Sequence, residues 1–256
     1  MHSSYNIKVG ILIIARMGST RLKDKHLLNI KNEPLIGYLI KRIKKEFDNF
    51  IGDNYSLFIC TGDKSLNYQF ENVAKKNNIS VFYGNNNNIP LRMLECCNAN
   101  NLDFMISIDG DDILCATEGM RKVYKELAKG EKFIKTKGFP FGMNSLGLSS
   151  DFLKKSLKGH SNKSLETGWG WIFDSNECKD INFDDYDDTR LRFTLDYADD
   201  LKFFDQIISD HEFDINLPTK TIIGIALKND YYKINFSIHK EYWKNFYKHQ
   251  SLEKKE

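Results

Sequence analysis

Residues 8–14 read KVGILII, and residues 15–25, directly behind them, read ARMGSTRLKDK. The first segment is rich in β-branched side chains and scarcely alternates with polar ones. That is the pattern of a strand buried on both faces, as in a parallel sheet covered by helices. Pro34 then opens a segment with apolar residues at 35, 36, 39, 40 and 43. The spacing is helical, and a proline at a helix start gives up an N–H that would be unpaired there anyway. Further along, residues 57–60 read as a strand, 66–76 as a helix, 80–83 as a short strand and 85–88 as a turn. Residues 90–98 then read as a helix and 104–108 as another buried strand. Strand and helix alternating at this spacing predict an α/β fold with a doubly wound, mostly parallel sheet.

After residue 130 the regularity weakens. Residues 136–175 are rich in Gly, Ser and Asn, and residues 180–188 carry five aspartates, read as a solvated loop. The pattern resumes with 190–195 as a strand, 201–208 as a helix and a further helix from Pro218 to about residue 229. Residues 249–256 read as a charged, frayed tail. With no internal repeat and no linker, residues 1–248 are expected to form a single domain with an irregular lobe at about 136–188.

The composition narrows the class. The chain has 256 residues, 41% of them apolar and 28% charged, which excludes a disordered or collagen-like polymer. Lys plus Arg total 37 against 35 Asp plus Glu, so bulk charge gives no reason to expect nucleic acid or an anionic membrane as partner. The longest apolar run, residues 9–15, is far below the roughly 20 residues that span a bilayer. Residues 1–6, MHSSYN, lack the basic start and apolar stretch of a signal peptide. Cys60, Cys96, Cys97, Cys115 and Cys178 are odd in number and form no C-x-x-C pair, so a reducing cytoplasm is expected.

Ligands in doubly wound sheets bind beyond the carboxyl ends of the strands, which directs attention to the loops after residues 14 and 108. The first holds Arg16, Arg21, Lys23 and Lys25, with Gly18 and Ser19 at its bend. Exposed N–H groups in such a turn form an anion nest, and four cations beside it suit a triphosphate; a solvated basic turn is the plain alternative. The loop is neither a Walker A sequence nor a G-x-G-x-x-G fingerprint. The second reads SIDGDDIL over residues 107–114, placing Asp109, Asp111 and Asp112 behind a buried strand. Mg²⁺ favours one or two carboxylates with waters and phosphate oxygens, although Asp-Gly is also a common turn and Asp112 could cap a helix near Thr117.

Residues 13–40, IIARMGSTRLKDKHLLNIKNEPLIGYLI, resemble the amino terminus of the sugar-activating cytidylyltransferases. That group includes the 3-deoxy-manno-octulosonate and acylneuraminate enzymes and, most similar of all, the spore-coat polysaccharide type. Arg16, Ser19, Arg21, Leu22 and Lys25 fall on its A-R-x-x-S-x-R-L-P-x-K pattern, with Lys23-Asp24 in place of the usual Pro-Gly. Gly110-Asp111 matches the family's Gly-Asp, with Ile113 where Pro is usual. RFTLDYADDL, residues 192–201, matches a strand ending in Asp and running into a helix, with Ala198 where Pro is usual.

The resemblance implies a nucleotide-diphospho-sugar-transferase-like fold and a Mg²⁺-dependent transfer of CMP from CTP. The acceptor would be a sugar acid or a phosphorylated sugar or polyol, pyrophosphate would leave, and surface-glycan synthesis would be served. Asp111 and Asp196 would hold the metal and act in catalysis with Lys25. Ala15, Arg16, Gly18, Ser19, Arg21, Lys25, Arg92 and Asp109 would bind the nucleotide. Asp199 and Asp200 would place charge in the first turn of a helix. The acceptor is assigned to the irregular lobe, through Asn144, Glu166 and Trp169, where apolar and aromatic walls meet a few polar groups. Packing of the Trp-rich segment on the sheet or at a homodimer interface is the alternative. Two rival functions stand: a glycosyltransferase using Asp109-Gly110-Asp111 as D-x-D, and a catalytically silent nucleotide-binding module. The six histidines show no metal-ligand spacing.

Overall fold

The computed structural model describes residues 7–52 and 54–255; the leader reading at residues 1–6 and the last residue of the expected tail lie outside them. Strand β1 (Val9–Ile14) is followed by a two-residue pair, β2 (Asn29–Ile30) and β3 (Glu33–Pro34), and by helix α1 (Leu35–Ile51). Then come β4 (Tyr55–Thr61), α2 (Lys64–Asn67), α3 (Phe70–Asn77), β5 (Ser80–Tyr83), α4 (Ile89–Asn100), β6 (Phe104–Asp109) and α5 (Thr117–Leu127). The remainder supplies β7 (Phe133–Lys137), β8 (Leu146–Ser149), α6 (Ser150–Ser156), β9 (Lys179–Asn182), α7 (Ala198–Ser209), α8 (Thr219–Lys228) and α9 (Ile238–Glu253). Seven strands form one sheet in the order β5-β4-β1-β6-β8-β7-β9. β8 runs antiparallel to both neighbours, and the other recorded pairings are parallel. The expected α/β architecture is present.

β1 is buried at every position, and alternate side chains feed opposite faces. Ile11 and Ile13 pack with Ile36, Leu39, Ile40, Ile43 and Phe47 of α1, whereas Leu12 and Ile14 pack with Met93, Cys96 and Cys97 of α4. A third cluster joins Phe193 and Leu195 to Phe203, Phe204, Ile207 and Ile222. No described helix is long and apolar enough to cross a membrane.

Several sequence expectations need correction. The lobe at 136–188 is less irregular than its composition implies, because it contributes β8 and β9 to the main sheet and carries α6. The aspartate run begins in β9, and within it Phe183 stacks on Phe139 while Tyr186 packs against Phe139 at a tilt, so apolar contacts anchor an acidic surface. The helix expected over 66–76 is two helices, α2 and α3. Arg190 lies in a turn, which the Leu191 N–H closes by donating to the Asp188 carbonyl, and residues 191–195 join no strand; their one bridge pairs Arg192 with Phe141. Leu191, Phe193 and Leu195 face the α7–α8 core while Thr194 and Asp196 line a cleft, which explains the strand-like alternation. Residues 249–253 do not fray but form the last turn of α9, held by side-chain contacts to the segment around Thr167.

Candidate active site

A cleft of about 750 Å³ opens beyond the carboxyl ends of β1 and β6, where the topology of the sheet expects a ligand. Gly110 lies between two of its lining residues, Asp109 and Asp111. A Cβ there would lie 2.8 Å from the Ala15 Cβ and 3.1 Å from the Ile14 carbonyl oxygen, and the Gly110 N–H donates to that oxygen at 2.7 Å. The Asp-Gly-Asp sequence is therefore a close crossing of two strand ends, not merely a turn. On the facing loop, Asp24 adopts a left-handed conformation with φ 52°. That is the backbone a glycine would take, so the Lys23-Asp24 replacement keeps a glycine-like bend. Gly18 is different: nothing lies within 4 Å of a Cβ there, and its φ is unexceptional.

Lys25 follows that bend and is buried at 6% exposure. Its Nζ donates to Asp111 Oδ2 at 2.5 Å and to Asp196 Oδ1 at 3.1 Å. Burial opposes its charge, but Asp111 and Asp196 outweigh burial and hold the ammonium above its usual pKa. Arg21 donates to Asp196 Oδ1 at 2.5 Å, and Arg192 to Asp196 Oδ2 at 3.0 Å. Asp196 itself is buried; although burial favours its neutral form, Lys25, Arg21 and Arg192 keep its carboxyl below the usual range. Two carboxylates 85 positions apart in sequence are thus brought to one ammonium.

His26, fully enclosed, has Nδ1 3.2 Å from the Gly110 carbonyl oxygen and Nε2 3.4 Å from Asp111 Oδ1. Burial pushes its pKa down to about 4, so it is neutral near pH 7. The Gly110 carbonyl and Asp111 Oδ1 are both acceptors, and a neutral ring can donate to only one of them. Asp111 Oδ1 is a buried oxygen with no hydrogen-bond partner. Asp109, at the end of β6, is exposed at the cleft, where the surrounding protein, and then Asp111, push its carboxyl upward. Asp112 is held well above the usual range by desolvation and then by Asp109, and it does not cap α5, whose N-cap is Ala116.

The other expected residues divide. Ala15, Arg16, Gly18 and Ser19 line the cleft, and Arg16 forms an ion pair with Glu166 across it. Arg92 is 1% exposed, not a surface charge, and its guanidinium donates to the carbonyls of Asn85 and Asn86, fixing that loop against the cleft. Trp169 lines the cleft, whereas Trp171 packs its edge on His160. Asn144 lies outside the main cleft, donating to the Phe139 carbonyl. Asp200 does more than charge a helix start. It is fully buried, pairs with Arg192 at 2.9 Å, and accepts from the N–H groups of Asp196 and Tyr197.

The sequence reading missed α9. Tyr242, Trp243, Phe246, His249 and Glu253 line the cleft, and Tyr242 covers the Arg192 guanidinium at 4.4 Å. Glu253 accepts from the N–H groups of Glu166 at 3.1 Å and Thr167 at 2.9 Å, and Gln250 donates to the Gly168 carbonyl at 3.0 Å. The available signal was the aromatic spacing 242, 243, 246, 247, a helical stripe hidden in a charged terminus.

The chain is 24% identical over 231 residues to an uncharacterised protein of Methanocaldococcus jannaschii, covering 87% of this chain and 92% of that protein. In structure it is similar to a cytidylyltransferase from Leptospira borgpetersenii, with a TM-score of 0.77, 24% identity, and coverage of 88% of this chain and 96% of that one. It is also similar to a CMP:2-keto-3-deoxy-manno-octonic acid synthetase complexed with CTP, with a TM-score of 0.55 and 14% identity, over 79% of this chain and 98% of that one. Residues 10–164, which include the basic loop, Lys25 and the carboxylates at 109–112, match the cytidylyltransferase family, and this nucleotidyltransferase chain belongs to it.

Proposed function

We propose that the protein transfers CMP from CTP to a sugar acid or a phosphorylated sugar or polyol, with Mg²⁺, and that the activated product feeds surface-glycan assembly. The observation that supports this most is the Lys25 ammonium held 2.5 Å from Asp111 and 3.1 Å from Asp196, beside a loop bearing Arg16 and Arg21. A relative of the same fold is described as a CMP-sugar-acid synthetase in complex with CTP, which favours a sugar-type acceptor here.

The residues fit a magnesium ion in donor type and number. Among the described residues no three His, Cys, Asp or Glu side chains form a metal cage. Asp111 and Asp196 nevertheless meet at one cation, and Asp111 Oδ1 lacks a partner. One or two carboxylates completed by water and phosphate oxygens are what Mg²⁺ favours. When bound there, it neutralises phosphate charge and withdraws electrons from the α-phosphorus.

The chain's own part is binding and positioning. Arg16, Arg21 and Lys25 would hold the β- and γ-phosphates above the backbone of residues 15–19. Glu166 and Asp196 now neutralise two of these cations, so CTP would replace carboxylates as their partner. An acceptor oxygen, giving up its proton to solvent where it is a hydroxyl, attacks the α-phosphorus, the bond from phosphorus to the α–β bridging oxygen breaks, and that electron pair leaves with pyrophosphate. Arg192 and Asp200, buried behind the cleft, keep Asp196 in place.

Pyrophosphate release measured with each nucleoside triphosphate, with and without Mg²⁺, across a panel of sugar acids and sugar or polyol phosphates tests this reading. Release that requires CTP, Mg²⁺ and one acceptor class is the expected result. Turnover of a preformed nucleotide sugar in its place would move the assignment to the glycosyltransferase reading.

A further inference from the structure

A second cavity of about 230 Å³ adjoins the main cleft and shares Asp109, Lys135 and Trp169 with it. It exists because the sheet parts locally. The pairing of β6 with β8 ends at Ser107–Leu146, while β6 continues to Asp109 and the chain before β8 turns toward β7, where the Thr136 N–H donates to the Ser145 carbonyl at 3.0 Å. The space between the diverging strands is lined by side chains from both.

Its polar groups are unevenly satisfied. The Thr136 hydroxyl accepts from the Ser145 N–H at 2.7 Å and is within 3.3 Å of Asn144 Oδ1, and the Asn144 amide donates to Phe139. Ser145 is 5% exposed, and its hydroxyl, though buried, has no hydrogen-bond partner. A buried hydroxyl without a partner is costly, so one beside a cavity favours a ligand that supplies it. Among the lining residues Lys135 is the single cation, set against Asp109 and Asp112. An anionic group entering here would find a single ammonium in a cavity that two carboxyl groups also line. Hydroxyl groups, which both donate and accept, suit every one of these side chains.

We propose that this cavity receives the uncharged, hydroxyl-bearing far end of the acceptor, read by Lys135, Asn144 and Ser145, so that the acceptor is polyol-tailed and carries any anionic group at its reacting end. This rests on the cytidylyl-transfer reading for what happens in the main cleft. The cavity itself makes a separate claim about which compounds bind.

Two probes differ only at the far end: D-arabinitol 5-phosphate, ending in CH₂OH, and D-arabinonate 5-phosphate, ending in a carboxylate. With CTP and Mg²⁺, kcat/KM for the alcohol should exceed that for the acid at least tenfold. Ser145→Ala, which removes no hydrogen bond of the folded chain, should cut that preference to threefold or less while the CTP KM stays within twofold. Equal use of both probes, or a preference untouched by Ser145→Ala, would overturn the proposal. Saturation-transfer NMR with arabinitol and arabinonate, on the wild-type protein and on Ser145→Leu to fill the cavity, separates the two claims. Arabinitol binding that Ser145→Leu abolishes, without turnover of CTP by any acceptor, would sustain the cavity and sink cytidylyl transfer. Turnover with other acceptors but no arabinitol binding would do the reverse, and failure of both would remove both.

Discussion

The two walls of the cleft are held in place by different forces. On the nucleotide side, Arg21, Lys25 and Arg192 converge on Asp111 and Asp196, and Asp200 fastens Arg192 and two backbone N–H groups from below. On the facing side, Phe141, Tyr242, Trp243 and Phe246 pack as tilted and edge-on rings, and Glu253 and Gln250 clasp the backbone of residues 166–168. The first wall concentrates charge where a triphosphate would lie. The second offers ring surface and a backbone held by side chains of α9. The family match at residues 10–164 includes the basic loop and Asp109–Asp112 but stops before α9.

If that contrast is right, buried charge should matter for folding on one wall and for turnover at its tip. Asp200→Ala would leave Arg192 buried with a lost partner, and should cost about 3–5 kcal/mol of stability. A denaturation midpoint unchanged from wild type would break the comparison at its base. Asp111→Asn keeps size and lies partly open to the cleft, so the fold should persist while turnover falls about 10²-fold or more, a barrier increase of roughly 3 kcal/mol. Chelation by EDTA should depress the wild type similarly and be reversed by added Mg²⁺.

Smaller effects distinguish a shaped loop from a diffuse basic patch. Lys25→Ala should raise the CTP KM by about tenfold or more and affect CMP binding much less, whereas Lys23→Ala, at an exposed position, should stay within about twofold. Equal losses at both lysines would mean that only overall charge counts. On the opposite wall, Gly168 has φ +60° and a Cβ there would come within 2.6 Å of Phe246, so Gly168→Ala strains the backbone and must shift the Phe246 and Gln250 side chains of α9. The acceptor KM should rise about tenfold with the CTP Kd within twofold, read by acceptor titration and nucleotide binding. Glu253→Gln, which weakens the clasp without a clash, should give the same pattern at about threefold.

Much of the nucleotide wall was legible because its residues lie in short segments directly behind apolar strands. Residues 8–25 and 104–112 each place charge immediately after a buried run, and the order of the matches along the chain indicated that Asp111 and Asp196 belong together. Arg192 was not legible as a site residue. It stands four residues before Asp196 and eight before Asp200, but helical pairing does not apply across a segment that is not a helix. The aromatic wall was read only in part. Trp169 and Glu166 do face the cleft, Asn144 lines the adjoining cavity, and α9 escaped because a charged terminus looks solvated until something is found beneath it.

By itself, the sequence determined the parallel α/β plan, since hydrophobic periodicity is a local property that each segment carries alone. It also determined which residue types stand at the strand ends, and therefore the chemistry on offer. Tertiary structure alone decided that one lysine bridges two distant aspartates, that Asp24 replaces a glycine at the loop bend, and that the C-terminal helix closes the aromatic side of the cleft. Those outcomes depend on where separate strand and helix ends meet, and on which charges lose water together when they do, and no local pattern encodes that meeting.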